Sequence, residues 1–189
     1  MPLPERIVVA GNTGSGKSTL AEALARRLDL PFVELDALFW LPNWTEPDAE
    51  DFRAKVRAAT EGGRWVVAGN YNGRTADITW VQAQAMVYLE LGVARSIWRV
   101  LRRSWRRWRS QELLWGTNTE TFAKHLRVWS PDSLVWWAVK SVPNHRKRVI
   151  ELRTDPRWSH IDLVQLRSPS EVNRWLDAVT RRCRTRRAA

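Results

Sequence analysis

The chain has 189 residues, 44% hydrophobic and 27% charged, with a formal net charge of +11. This length suits one α/β core and leaves no room for two comfortable domains, so a single domain with an insertion is expected. No apolar run reaches the ~20 residues that a membrane-spanning helix takes, and the opening MPLPERIVVAG lacks the regions of a secretory leader.

The expectation is therefore a soluble cytoplasmic protein with no membrane partner. Its single cysteine, Cys183, excludes an internal disulfide and a thiolate metal site. The positive charge comes almost wholly from arginine, whose guanidinium fork suits phosphate and carboxylate, so nucleotides and nucleic acid both stay open as partners. The 13 tryptophans are expected mainly in the core, with base stacking as the alternative.

Residues 6–10 (RIVVA) form a β-branched run ended by glycine, which predicts a buried strand, and 17–28 carries Leu20, Ala23, Leu24 and Leu28 at helical spacing. Between them, GNTGSGKS fits GxxxxGK[ST] with Gly11, Gly16, Lys17 and Ser18, in the strand-loop-helix context the motif requires. The glycines let the loop turn its N–H groups inward as an anion nest, and the helix N-terminus adds partial positive charge. Lys17 is placed to reach the β and γ phosphates and Ser18 to bind Mg²⁺. Asn12, Thr13, Gly14, Ser15 and Thr19 complete the expected contact set for ATP, with GTP an open alternative.

Residues 31–35 predict a second strand, leading to Asp36 and an irregular Pro- and Trp-rich segment. A helix is expected over 48–59, a strand over 64–68 closed by GNYNG, a short polar stretch over 74–84 and a strand over 85–91. Residues 93–108 then read as a strongly amphipathic helix. Ile97, Trp98, Leu101, Trp105 and Trp108 fall on one side, and Arg95, Arg99, Arg102, Arg103 and Arg106 on the other. Helices follow over 120–128, 131–141 and 144–153, then a strand over 161–166. Ser168, Pro169 and Glu171 make a capping box for a last helix to about residue 179, and 181–189 is expected to be a disordered basic tail. Strands alternating with helices argue for a parallel sheet covered on both faces, with its ligands at the carboxyl ends of the strands.

The short phosphate loop, LPFVELDALFW, WVVAGNY and LELGVARSIWRVLRR together resemble the adenylate-kinase-like P-loop family. The pattern, extended through SPDSLVWW and LRSPSEVNRWL, is similar to bacterial adenylate-kinase-related proteins often labelled topology modulation proteins. The resemblance implies a three-layer α/β P-loop NTPase fold with a five-stranded parallel sheet of order 2-3-1-4-5. It places one nucleoside-triphosphate-binding domain over 1–180, with a helical lid inserted at about 93–158.

On this resemblance Asp36 falls where related small-molecule kinases keep an acid near the metal and acceptor hydroxyl, and so joins Ser18 as an Mg²⁺ candidate; a turn cap is the competing reading. GNYNGR corresponds to the acceptor-side turn, but Ala68 stands where nucleotide kinases carry Asp. Glu90 is a candidate for the missing carboxylate, or merely a strand-end residue. Asn70 and Arg74 are expected near the acceptor. Arg99 and Arg103, with Lys17 and Asp36, are the catalytic candidates, the arginines neutralising charge on the γ-phosphoryl group from the lid. Arg167 is placed to stack on the adenine ring. Arg146, Lys147 and Arg148 read as surface, and His125, His145 and His160 lack metal-ligand spacing.

The expected activity is transfer of the ATP γ-phosphoryl group to an unknown nucleotide or small-molecule acceptor. Two alternatives stay open: a nucleotide-dependent nucleic-acid binder using the basic helices, and an ATP-binding protein with weak hydrolysis. Oligomeric state is not legible.

Overall fold

The computed structural model describes residues 3–119, 140 and 142–188; the helices expected over 120–128 and 131–141 lie outside these, Lys140 excepted. A five-stranded parallel sheet has the order β2-β3-β1-β4-β5. Its strands are β1 (Arg6–Gly11), β2 (Phe32–Glu34), β3 (Trp65–Ala68), β4 (Ala85–Leu89) and β5 (Asp162–Leu166). The central strand β1 pairs with β3 from Arg6↔Trp65 to Val9↔Ala68 and with β4 from Ile7↔Ala85 to Gly11↔Leu89.

Alternation along the strands feeds two separate cores, because successive side chains point to opposite faces. Val8, Ala10, Trp65, Val67, Met86 and Tyr88 pack with Phe39, Phe52, Val56, Ile78, Val149 and Leu152. These come from α2 (Leu35–Phe39), α3 (Ala49–Thr60), α4 (Asn72–Thr79) and α6 (Val142–Thr154). On the other face, Ile7, Val9, Val66, Val87 and Leu89 meet Leu20, Leu24 and Leu28 of α1 (Lys17–Leu28) and Leu176 of α7 (Pro169–Ala188). The lid helix α5 (Val93–Ser110) leaves the carboxyl end of β4. The five-stranded α/β architecture and its strand order are as expected from the sequence.

Three elements differ from that expectation. The strand β2 stops at Glu34, and Leu35 begins a helix, because Leu35 and Phe39 (i, i+4) are both buried, 2% and 3% exposed. Gly69 makes room for that turn: a Cβ there would come 2.7 Å from the Leu35 Cβ. The polar stretch after Asn70 is also helical. Its inner face is Thr75, Ile78 and Thr79, and the two threonine hydroxyls donate to the Tyr71 and Thr75 carbonyls, so small polar residues fill an apolar role. Finally, α7 continues to Ala188 instead of ending near residue 179. Val172, Trp175, Val179 and Cys183 continue one stripe against the α1 side, with the Cys183 thiol 3.5 Å from the Arg27 carbonyl. Half of the capping box forms as expected, the Glu171 N–H donating to Ser168 Oγ at 3.2 Å, while the Glu171 carboxylate accepts from the N–H of Arg167, one residue before the cap.

Candidate active site

The loop between β1 and α1 turns on two glycines in the left-handed region, Gly14 (φ 76°) and Gly16 (φ 94°). At Gly11 (φ 144°) a Cβ would meet the Leu89 carbonyl at 2.4 Å, so the loop entrance is closed to any side chain. Within the loop Asn12 organises the turn: its carbonyl accepts from the Ser15 N–H at 3.1 Å and from Lys17 Nζ at 3.1 Å, and its Oδ1 accepts from the Thr13 N–H at 2.8 Å. The Ser15 hydroxyl is buried with no hydrogen-bond partner among the described residues. Ser18 lies in the first turn of α1, half-buried, and Thr19 beside it is exposed. Asn70 acts on this loop and not on the acceptor side: its Nδ2 donates to the Gly11 carbonyl at 2.6 Å and its Oδ1 accepts the Gly11 N–H at 3.3 Å.

A second cluster of polar and aromatic side chains is built where β2 meets α2. Asp36 accepts a 2.8 Å bond from the Tyr71 hydroxyl, and the Tyr71 ring is wedged against Phe39 (4.6 Å between centroids) and Phe52 (5.2 Å). Burial, then the negative charge of Asp36, push the Tyr71 phenol far above its ordinary range, so it stays a proton donor. Burial lowers the Lys17 pKa from 10.5 to about 8; Asp36 raises it, Arg103 lowers it and Glu34 raises it. Lys17 therefore feels two carboxylates from the β2 end and one guanidinium from the lid.

Glu34 was not singled out in the sequence. It pairs in register with Ala68, so a carboxylate does stand at this edge of the sheet, on the strand beside the one expected to carry it. The signal was the spacing Glu34-Leu35-Asp36, obscured by reading Glu34 as mid-strand. Glu90, the candidate for the missing carboxylate, instead accepts from Gln165 at 2.6 Å and from Arg167 Nε at 3.1 Å, which ties it to the adenine-side candidate. Arg74 is paired with Glu46 at 3.0 Å and lies 5.0 Å over the Phe39 ring.

The lid helix packs directly on the phosphate loop. A Cβ at Gly14 would lie 2.5 Å from the Ser96 carbonyl and 2.7 Å from Val100 Cγ2. Arg99 Nη1 donates to the Ser15 carbonyl at 3.1 Å, and the Arg99 guanidinium reaches the Gly16 backbone. The face turned inward is thus Ser96, Val100 and Ser104, flanked by half-buried Arg99, Arg103 and Arg107, while Trp98, Trp105 and Trp108 are 59%, 47% and 42% exposed. Of the lid arginines considered together, Arg99 and Arg103 come to the loop; Arg102 and Arg106 are exposed, Arg102 over the Trp98 ring at 5.2 Å.

Arg148 is a further residue that the sequence assigned to the surface. It is half-buried beside Tyr88, and burial lowers its pKa. With its amide oxygen turned toward Arg148, Asn72 accepts from Nε at 2.6 Å and from Nη1 at 3.0 Å. Arg148 thus reaches the segment that carries Tyr71.

Among the described residues no group of three or more His, Cys, Asp or Glu side chains could hold a metal by itself. The set Ser18, Asp36 and Glu34 is all oxygen, which suits Mg²⁺, an ion that keeps several waters and shares phosphate oxygens. The orphaned Ser15 hydroxyl and the buried Lys17 ammonium fit a phosphate chain in the loop.

Strand order and glycine loop together define an α/β P-loop fold with a five-stranded parallel sheet. In keeping with this, the family model described as "ATPase family associated with various cellular activities (AAA)" matches residues 7–67, the span from β1 into β3 that holds the loop. No curated protein matches the chain. Among solved structures, a gluconokinase from Sinorhizobium meliloti 1021 is 21% identical with a TM-score of 0.51, covering 96% of this chain and 94% of its own. A sugar kinase from Janibacter sp. HTCC2649 is 19% identical with a TM-score of 0.52, covering 94% and 98%. Shikimate kinase from Acinetobacter baumannii in complex with shikimate is 17% identical with a TM-score of 0.50, covering 94% and 90%.

Proposed function

We propose that the protein is a Mg²⁺- and ATP-dependent phosphotransferase acting on a hydroxyl group of a small molecule. The observation that carries this reading is the arginine-bearing helix seated on the phosphate loop, with Arg99 Nη1 3.1 Å from the Ser15 carbonyl, beside Lys17, whose charge feels Asp36, Arg103 and Glu34. Carboxylates and guanidinium groups gathered at one loop suit phosphoryl transfer. In the proposed step the acceptor oxygen bonds to the γ-phosphorus, the bond to the β–γ bridging oxygen breaks, and the hydroxyl proton passes to Asp36. Lys17, Arg99 and Arg103 stabilise the charge that spreads over the phosphoryl oxygens. Mg²⁺, held by Ser18 with Asp36 through water, would neutralise the phosphate chain. Arg167, at the end of β5 beside Glu90, is the adenine-side residue of this reading.

The acceptor end also favours a hydroxyl compound over a nucleoside monophosphate. Glu34 and Asp36 repel an anionic acceptor, and Arg74 and Glu46 neutralise each other. On the motifs quoted from the sequence, we place the chain within the adenylate-kinase-related topology modulation group, as a cytoplasmic enzyme.

A coupled assay for ADP release, run across alcohols, polyols and nucleoside monophosphates, tests this. Transfer should require Lys17, fall at least a hundredfold in Asp36→Asn, and be seen with hydroxyl compounds. ATP hydrolysis with no acceptor product would sink it. One observation favours the nucleic-acid reading as a second: the exposed Trp98 and Arg102 pair on a basic helix. Single-stranded DNA affinity that falls steeply with salt and responds to ATP would support that reading.

A further inference from the structure

Beyond the lid helix the chain turns back onto the acceptor end of the site. The turn bridged by Leu114 and Asn118 lies against the turn bridged by Leu41 and Thr45. Buried Asn118 locks the two: its Oδ1 accepts the Trp44 N–H at 2.9 Å and its Nδ2 donates to the Leu41 carbonyl at 3.1 Å. Trp44 Nε1 donates to the Thr119 carbonyl at 2.9 Å. Across this joint the Trp44 and Trp115 rings meet edge to face, 5.9 Å between centroids and 79° between planes, with Trp40 packed edge-on 5.5 Å from Trp44.

Both indoles sit on left-handed backbone, φ 59° at Trp44 and 51° at Trp115. Bulky residues rarely adopt that region, and such strain persists where surrounding structure holds it. Asn43 (φ 60°) and Gly116 (φ 78°), next to the tryptophans, are the residue types that adopt it readily. The strain at Trp44 and Trp115 therefore sets the position of two side chains that the turns themselves do not require. One of them reaches the site: Trp115 Nε1 donates to Glu34 Oε2 at 3.2 Å. A neutral N–H donor thus occupies the carboxylate at the end of β2, where a ligand hydroxyl could take its place.

We infer that Glu34, Trp44 and Trp115 form the acceptor subsite, and that it takes an uncharged polyhydroxylated carbon skeleton. One hydroxyl displaces the indole N–H from Glu34, while a C–H face of the skeleton lies against the tryptophans. The inference rests on the kinase reading only in that a second hydroxyl is presented to Asp36. Glu34 and Asp36, held by the neutral donors Trp115 and Tyr71, disfavour an anionic acceptor of the same shape.

Calorimetric titration of the full chain, with Mg²⁺ and a non-hydrolysable ATP analogue, tests the subsite against sorbitol, myo-inositol and glucose, with AMP and 1-propanol as counter-probes. Phosphoryl transfer to the same compounds is measured in parallel with ATP. At least one polyol should bind, and AMP and 1-propanol should not. Trp115→Ala should weaken polyol binding about tenfold by removing the ring face. Trp115→Phe keeps a face but frees Glu34, and should strengthen it about threefold. The ATP-analogue Kd should be unchanged in both. Polyol binding without transfer upholds the subsite and removes the kinase reading. Transfer to AMP or 1-propanol with no preference for polyols does the reverse. Absence of polyol binding overturns the subsite, and so does wild-type polyol affinity in both variants with native far-UV circular dichroism. Where Trp115→Ala does not fold, the wild-type panel and Trp115→Phe decide.

Discussion

At the scale of the residue, Lys17 shows how the site stores its affinity. An ammonium with pKa reduced from 10.5 to about 8 is a destabilising charge in the empty protein. The unfolded chain binds more protons than the folded one between those two values, so stability rises with pH across that window and the whole cost is present below about pH 8. Lys17→Met should therefore raise the urea stability of the nucleotide-free protein at pH 7 by roughly 2 kcal/mol and flatten the rise above pH 8. It should also abolish the stabilisation given by ATP. A variant less stable than wild type at pH 7 would contradict this. The lysine itself was legible, because its motif is local; Glu34 was not, because its importance lies in pairing with Ala68 across two strands far apart in sequence.

Gly14 belongs to the same scale but acts on its neighbour. Gly14→Ala combines a left-handed backbone with a Cβ 2.5 Å from a carbonyl of α5, and backbone cannot yield as a flexible side chain can. We expect a loss of about 2–4 kcal/mol, with the lid helix displaced from the loop and phosphoryl transfer lost. Thermal denaturation and the transfer assay would register this; wild-type values in both would show that the close approach is not maintained.

At the scale of the element, α5 carries the clearest lesson. Its sequence separates tryptophans from arginines, and a helix so patterned ordinarily buries the apolar side. The structure buries Ser96, Val100 and Ser104 instead, because only small side chains let the helix backbone come against Gly14. Apolar-to-polar substitutions on the two faces should therefore differ in the sense opposite to the pattern. Trp98→Gln should cost under about 1 kcal/mol, and Val100→Asp more than about 3 kcal/mol. Equal costs, measured by chemical denaturation, would refute the assigned face. The same principle explains α4, whose buried threonines gave no hydrophobic period to read.

At the scale of the whole molecule, the second core extends further along the chain than the composition indicates. Since α7 carries its stripe on to Cys183 against α1, removing residues 181–189 should lower the melting temperature by several degrees, reflecting about 1 kcal/mol of lost packing. An unchanged melting temperature would mean that the last turns contribute nothing to the core. Asn70 and Asn118 act at this scale too. Each joins segments distant in the chain, the phosphate loop to the end of β3 and the Trp44 turn to the segment after the lid.

The sequence by itself determined the strand-loop-helix of the phosphate site, the parallel alternation of strands and helices, and the candidacy of Lys17, while Asp36, Arg99 and Arg103 became candidates through the family resemblance. These signals are local: a glycine spacing, an apolar period, a cap. Only the tertiary structure decided which face of α5 meets the loop, that Asn70 braces Gly11, that Tyr71 holds Asp36, and that Trp115 occupies Glu34. Each of those depends on groups brought together by strand register or by contact between turns, where hydrogen-bond geometry and close packing select partners that no spacing along the chain encodes.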